Sequence, residues 1–138
     1  MTRIILDLCG GTGAWSKPYA DAGYDVRIIT LPQYDIQKYT PPQNIYGILA
    51  APPCTMFSMA RTTAKAPRDL AEGMQLVERC LQIIWQVRKQ QALKFWVLEN
   101  PKGLLRQFLG APAFTFDASE FGETYNKHTD LVGVLQAA

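Results

Sequence analysis

Three short segments of this 138-residue chain combine residue types that can do chemistry. The first is Asp7-Leu8-Cys9-Gly10-Gly11-Thr12-Gly13, an acid running into a glycine turn. Glycine lets the backbone turn sharply and lets a ligand approach it closely. A dinucleotide fingerprint would carry a third glycine at position 16, where Ser16 stands, and the Gly-Lys-Ser/Thr ending of a phosphate loop is missing. The second is Pro52-Pro53-Cys54, followed by Ser58 and Arg61. The prolines stiffen the approach to the thiol, and Arg61, Lys65 and Arg68 favour its nucleophilic thiolate form. The third is Glu99-Asn100, just after an apolar run. A carboxylate there is costly without a partner or a task, and desolvation would suit it to handling a proton.

Each segment also has a plain structural reading: a turn, a small buried thiol, a carboxylate satisfied by a loop. Cys9 and Cys80 read as packing residues, Cys80 lying along a helix among Val77, Leu81 and Ile84. His128 is the single histidine and reads as a surface residue. No histidine metal site can be built from it, no metal is indicated, and no serine stands in a nucleophile elbow.

Positioning these segments requires a scaffold. Arg3 to Leu8, Tyr24 to Thr30, Ile45 to Ala51 and Lys94 to Leu98 are apolar runs that read as strands. Phe114 to Phe116 and Leu131 to Leu135 are two more. Ala14 to Ala22 reads as a short helix stopped at Gly23, and Leu104 to Leu109 as another. Leu31 to Asn44 reads mostly as loop, and residues 55–66 as a polar loop. From Pro67 a long helix is expected, with Leu70, Met74, Val77, Leu81, Ile84 and Arg88 on one stripe that Arg88 alone breaks. Strands alternating with helices predict a parallel α/β sheet, where ligands collect at the C-terminal strand ends. The glycine turn, Cys54 and Glu99 should therefore meet on one sheet edge.

Composition fits one such domain. Hydrophobic residues are 48% and charged residues 19% of the chain, which excludes a disordered protein. No run approaches the ~20 apolar residues of a membrane span, and no signal peptide or disulfide framework is indicated, so a cytoplasmic location is expected. Net charge is +2, but residues 52–106 hold nine bases against four acids; the plain reading is solvated helix charge, while Arg61, Lys65, Arg68, Lys102 and Arg106 lie in or beside the loops of Cys54 and Glu99.

Taken in order, these motifs resemble the DNA (cytosine-5) methyltransferases. Asp7 to Gly13 is similar to the Asp-Leu-Phe-x-Gly-x-Gly turn that cradles S-adenosylmethionine, and Asp35-Ile36 to the Asp-Ile that holds the adenine edge. Pro53-Cys54-Thr55-Met56-Phe57-Ser58 resembles the Pro-Cys-Gln-x-Phe-Ser nucleophile loop. Glu99-Asn100-Pro101-Lys102-Gly103-Leu104 resembles Glu-Asn-Val-x-Gly-Leu, and Phe121-Gly122 through Lys127 and Thr129 a late Tyr/Phe-Gly-x-Pro-Gln-x-Arg-x-Arg segment.

The resemblance implies an α/β, Rossmann-like S-adenosylmethionine-dependent methyltransferase fold: three layers, a mainly parallel sheet, truncated. It implies one catalytic domain over 1–138 with no target-recognition domain. Cys54 would add to cytosine C6 while Glu99 engages N3, with Asn100 and Lys127 beside them. Asp7, Cys9, Gly11, Thr12, Gly13, Thr30, Leu31, Asp35, Ile36 and Pro53 would hold the cofactor, and Ser58, Arg61 and Thr129 the substrate. Cys9 replaces the family's Phe, Thr30 stands in place of a ribose-binding acid, and Leu31 in place of an aromatic. Thr55 replaces Gln, and Lys127 and Thr129 replace two arginines. The implied partner is single- or double-stranded DNA. The rival readings are C5 modification of a free pyrimidine nucleotide, and a non-catalytic module that binds nucleic acid or cofactor as a homo-oligomer or with a partner chain.

Overall fold

The computed structural model describes residues 2–52, 70–90, 92–101, 114–117 and 128–135. Its strands are β1 (Ile4–Leu8), β2 (Asp25–Ile29), β3 (Ile45–Ala50), β4 (Phe95–Pro101), β5 (Phe114–Asp117) and β6 (His128–Leu135). The helices are α1 (Lys17–Asp21) and α2 (Leu70–Arg88), with a 3-10 turn at Ile36–Lys38. The sheet runs β2-β1-β3-β4-β6-β5. The first four strands in that order are parallel, and β6 lies antiparallel between β4 and β5.

Central parallel strands are covered on both faces, which is why β1 and β3 are nearly continuous apolar runs rather than alternating ones. On one face Leu6, Leu8, Ile48 and Leu98 pack under Val77, Cys80, Ile83, Ile84 and Val87 of α2. On the other, Ile5, Leu49, Phe95 and Val97 meet Trp15, Tyr19 of α1, Tyr24 and Tyr46. The Tyr19 ring stacks on Phe95 at 5.8 Å, with Tyr24 edge-on to Tyr19 at 5.6 Å. Each fully buried Ile or Leu contributes about 1.5–3 kcal/mol by leaving water. Among the described residues no helix is long and apolar enough to cross a membrane.

The expected α/β sheet is present, with several boundaries moved. Helix α1 spans five residues rather than the nine of Ala14 to Ala22. Its N-cap Ser16 makes no capping bond because its hydroxyl is engaged with Asp7 instead. The buried face of α2 is Gly73, Val77, Cys80, Ile83, Ile84 and Val87, with Met74 and Leu81 only half-buried and Arg88 exposed. The expected stripe is thus turned by about one residue, and Arg88 breaks nothing. A 3-10 turn interrupts the expected 31–44 loop. Strand β4 runs on through Glu99, Asn100 and Pro101, because β6 pairs with that extension: Glu99 opposite Leu131, Asn100 opposite Asp130, Pro101 opposite Thr129. Glu99 therefore stands within a strand, not after one. The start of the long helix before Leu70 and the helix expected at 104–109 lie outside the described residues.

Candidate active site

One row of the sheet organises the site. Ile29, Leu8, Ala50 and Leu98 are register partners across β2, β1, β3 and β4, all at most 2% exposed. The next residue of each strand brings Thr30, Cys9, Ala51 and Glu99 to the C-terminal edge together. Strand order reverses between β1 and β3, the switch point where open α/β sheets place ligands.

The glycine turn is fastened into this edge. The Cys9 amide donates to the Ile29 carbonyl at 2.8 Å, the Ala51 amide to the Leu8 carbonyl at 3.0 Å, and Gly13 closes the turn on Gly10 at 2.9 Å. Cys9 and Gly11 adopt left-handed backbone, φ 58° and 57°. A side chain on Gly11 would meet nothing within 4 Å, so its backbone faces open space. A side chain on Gly10 would instead strike the Asp7 carboxyl.

Asp7 is fully buried beneath the turn. Its Oδ2 accepts the Ser16 hydroxyl at 2.6 Å, and its Oδ1 has no hydrogen-bond partner among the described residues. Burial pushes this carboxyl above the ordinary range, and the Ser16 bond pulls it partly back. Cys9 packs against the core cluster that contains Cys80 of α2. The hydrogen bond from Cys80 holds the Cys9 thiol below its usual range, against burial and the nearby Asp7 charge. The same bond and burial push Cys80 far up.

Beside the turn lies a cavity of about 190 Å³ lined by Cys9, Gly11, Ile29, Thr30, Leu31, Tyr34, Asp35, Ile36 and Leu76. Six residues chosen from the sequence as cofactor contacts (Cys9, Gly11, Thr30, Leu31, Asp35 and Ile36) come together here. Asp7 lies under the turn, Gly13 is buried within it, and Thr12 is exposed. Leu31 is 71% and Tyr34 50% exposed, so two large apolar side chains stand in water at the cavity mouth. Sequence reasoning missed Tyr34 and Leu76. An aromatic immediately before Asp35 was the available signal for the first, and the helical stripe, drawn one residue off, hid the second.

The far wall is braced. Asp35 accepts the Gln37 amide at 3.0 Å, capping the 3-10 turn. From α2, Arg79 donates to the Ile36 carbonyl at 2.9 Å and the Tyr39 carbonyl at 2.7 Å. Tyr39 meets the Tyr34 ring edge-on at 6.0 Å. A larger depression of about 380 Å³ between Thr2-Arg3 and Ala22–Tyr24 lies at the opposite end of the sheet, and Arg3 there is spent over the Tyr46 ring.

Glu99 is half-buried at the end of the row. Asn100 and Thr129 are placed by backbone register only, on β4 and β6. Pro53, Cys54, Ser58, Arg61 and Lys127 lie outside the described residues.

Four parallel strands in the order β2-β1-β3-β4, with an antiparallel strand inserted before the edge and helices on both faces, make this an α/β, Rossmann-like fold. No protein-family model matches the chain, and no curated protein matches it. Among solved structures it is similar to a delta-N METTL16 MTase domain, at 11% identity and a TM-score of 0.44, over 99% of this chain and 76% of that one.

Proposed function

We propose that this chain transfers a methyl group from S-adenosylmethionine to C5 of cytosine in DNA. The carrying observation is the row Thr30-Cys9-Ala51-Glu99, which sets the glycine turn, the chain leading to Cys54 and the carboxylate on one sheet edge.

The residues present fit the cofactor. Gly11 leaves its backbone open, Asp7 Oδ1 is a buried acceptor beneath the turn with no partner among the described residues, and the 190 Å³ cavity suits one ring system. Drug-sized sites start near ~300 Å³, so the rest of the molecule would lie along the turn. Leu31, Tyr34 and Ile36 would hold the adenine, with Asp35 at its amino edge, and Gly11 and Thr12 the remainder. The cofactor supplies an electrophilic methyl group on a sulfonium sulfur.

The chain's own residues prepare the acceptor carbon. Cytosine C5 is a poor nucleophile. Cys54 adds to C6 while Glu99 engages N3, which pushes electron density onto C5. After methyl transfer C5 loses its proton and the Cys54–C6 bond breaks. Cys54 lies three positions beyond Ala51, a reach of at most about 11 Å. In a duplex the base must leave the stack first.

Labelled methyl transfer to duplex DNA, single-stranded DNA and dCMP tests the reading. Label in DNA that is lost in Cys54→Ser supports it. Label in dCMP alone moves the substrate to the free nucleotide, and no label in any acceptor together with no cofactor binding refutes it.

A further inference from the structure

Among the described residues the large apolar side chains left exposed are Leu31, Tyr34 and Trp85. The first two rim the cavity. Trp85, 59% exposed, stands on the outer side of α2, where the chemistry derived above has no use for it. Val77, Cys80, Ile83, Ile84 and Val87 turn inward, so Gln75, Glu78, Gln82, Trp85 and Lys89 form a solvent-facing stripe at three- and four-residue spacing. Arg88 and Lys89 flank the indole, each 5.9 Å from its ring centroid. That is the outer reach of a cation–π contact, whereas Arg3 sits 4.6 Å over Tyr46, so the Trp85 ring keeps room for a flat partner. The ion pairs among the described residues are Lys17–Asp21 and Arg27–Asp25, and both cations beside Trp85 lack a carboxylate there. Residues 75–89 hold three bases against one acid, and that acid, Glu78, accepts the Gln82 amide at 3.4 Å.

We propose that this stripe of α2 docks single-stranded nucleic acid, one base stacking on Trp85 while neighbouring phosphates meet Arg88 and Lys89. The choice of nucleic acid rests on the acceptor reading above; the surface itself needs no methyl transfer. An aromatic ring flanked by unpaired cations matches a ligand that offers both a π face and a line of negative charge. In a duplex the π faces are stacked inside, so the ring selects unpaired strand. Charge argues against a second copy of this chain as the occupant. A twofold interface centred on Trp85 would set Arg88 and Lys89 against their own copies.

The stripe leads back toward the candidate active site. Helix α2 joins two parallel strands, β3 and β4, so it runs from the C-terminal edge of the sheet toward the opposite one. Leu76 lines the cavity, and Trp85 lies nine residues further, about 14 Å along the axis. At 3.4 Å per base that is about four steps of a stacked strand. Between the two points Gln37, Gln75, Glu78, Arg79 and Gln82 line a polar depression of about 160 Å³. Its amides can bond phosphate and sugar oxygens, contacts that position a strand without reading its sequence.

Fluorescence anisotropy on the full chain tests this, with a labelled single-stranded oligonucleotide and the duplex of the same sequence. Trp85→Ala should bind the single strand roughly 5- to 150-fold more weakly, the usual range for losing one base–aromatic stack. Its Tm should match the wild type, because most of the ring is already in water. Trp85→Phe should restore part of the affinity. Arg88→Gln with Lys89→Gln should lower the log–log salt slope by about 1.4, the share of two single-strand phosphate contacts. A Trp85→Ala chain that binds the single strand as the wild type does overturns the proposal. Equal dependence of duplex binding on Trp85 overturns it too, as does binding of neither polymer at low salt. Sedimentation showing a dimer that Trp85→Ala dissociates would give this face to a second copy and overturn it likewise. Trp85-dependent binding without methyl transfer upholds the surface and removes the acceptor chemistry alone. Methyl transfer to DNA with binding indifferent to Trp85 removes the surface alone.

Discussion

Replacing Ser16 by alanine takes the only described hydrogen-bond donor from the Asp7 side chain. The bond is 2.6 Å long and its acceptor is fully buried, so solvent screening does not dilute it. A hydrogen bond to a charged group contributes about 1.5–3 kcal/mol, and its loss here leaves both carboxylate oxygens without a described partner. For a domain of this size each kcal/mol moves Tm by about 4 °C, so Ser16→Ala should melt roughly 6–12 °C lower at pH 8. The gap should depend on pH. Asp7 has a raised folded pKa, so the native state binds the proton more tightly than the unfolded chain does. Asp7's contribution to stability is therefore full below the unfolded carboxyl value of ~3.9 and is lost as pH rises through the folded pKa. The Ser16 bond favours the charged form, and removing it raises the folded pKa further. Below ~pH 3.9 the hydroxyl serves a neutral carboxyl in both states, a contribution of only about 0.5–1.5 kcal/mol. The wild-type–variant gap should widen as pH rises above that. Differential scanning fluorimetry from pH 4 to 8 reads it directly. A gap under about 2 °C at pH 8, or one that does not change with pH, would refute the assignment of Ser16 as the donor to a buried charge.

Gly47 lies opposite Phe95 in register, and a methyl at Gly47 would enter the Phe95 ring. Gly47→Ala should cost about 1–3 kcal/mol in urea unfolding, with much of it restored by adding Phe95→Leu. Arg79→Ala removes both bonds to the Ile36 and Tyr39 carbonyls and should weaken S-adenosylhomocysteine binding. Arg79→Lys should rescue it poorly, because an ammonium cannot span two acceptors as a planar guanidinium does; full rescue would point to charge alone. Glu99→Gln should reduce turnover by roughly 10²-fold with little change in Tm, whereas a large Tm drop with activity per folded molecule intact would mark Glu99 as structural.

What could be read in advance followed the range of the forces involved. β1, β2 and β3 are set by local apolar runs, and their observed ends fall within a residue of the expected ones. The convergence of Cys9, Gly11, Thr30, Leu31, Asp35 and Ile36 was legible because β1 and β2 are parallel neighbours whose ends reach the same sheet edge. The reach of β4 through Pro101 was not, since it depends on pairing with β6, some thirty residues away in sequence. The rotation of α2 was hidden for a similar reason. Arg79 anchors the helix to carbonyls of the 3-10 turn, and no periodicity within residues 70–88 encodes that bond. Ser16 could be seen to break a dinucleotide fingerprint, but not that it does so to hold Asp7.

The antiparallel insertion also sets a timetable for a chain made from its N-terminus. The β6 strand is the last of the described strands to be synthesised, yet it lies inside the sheet, and β4 has no neighbour on that side until it arrives. Leu135 follows Pro101 by thirty-four residues. At ~5–20 residues per second, β4 waits about 2–7 s with an open edge, the kind of edge that invites pairing with another chain. Among the described residues, the cavity, by contrast, draws only on those up to Leu76. Its wall can assemble while the strand that carries Glu99 still awaits the neighbour that extends it.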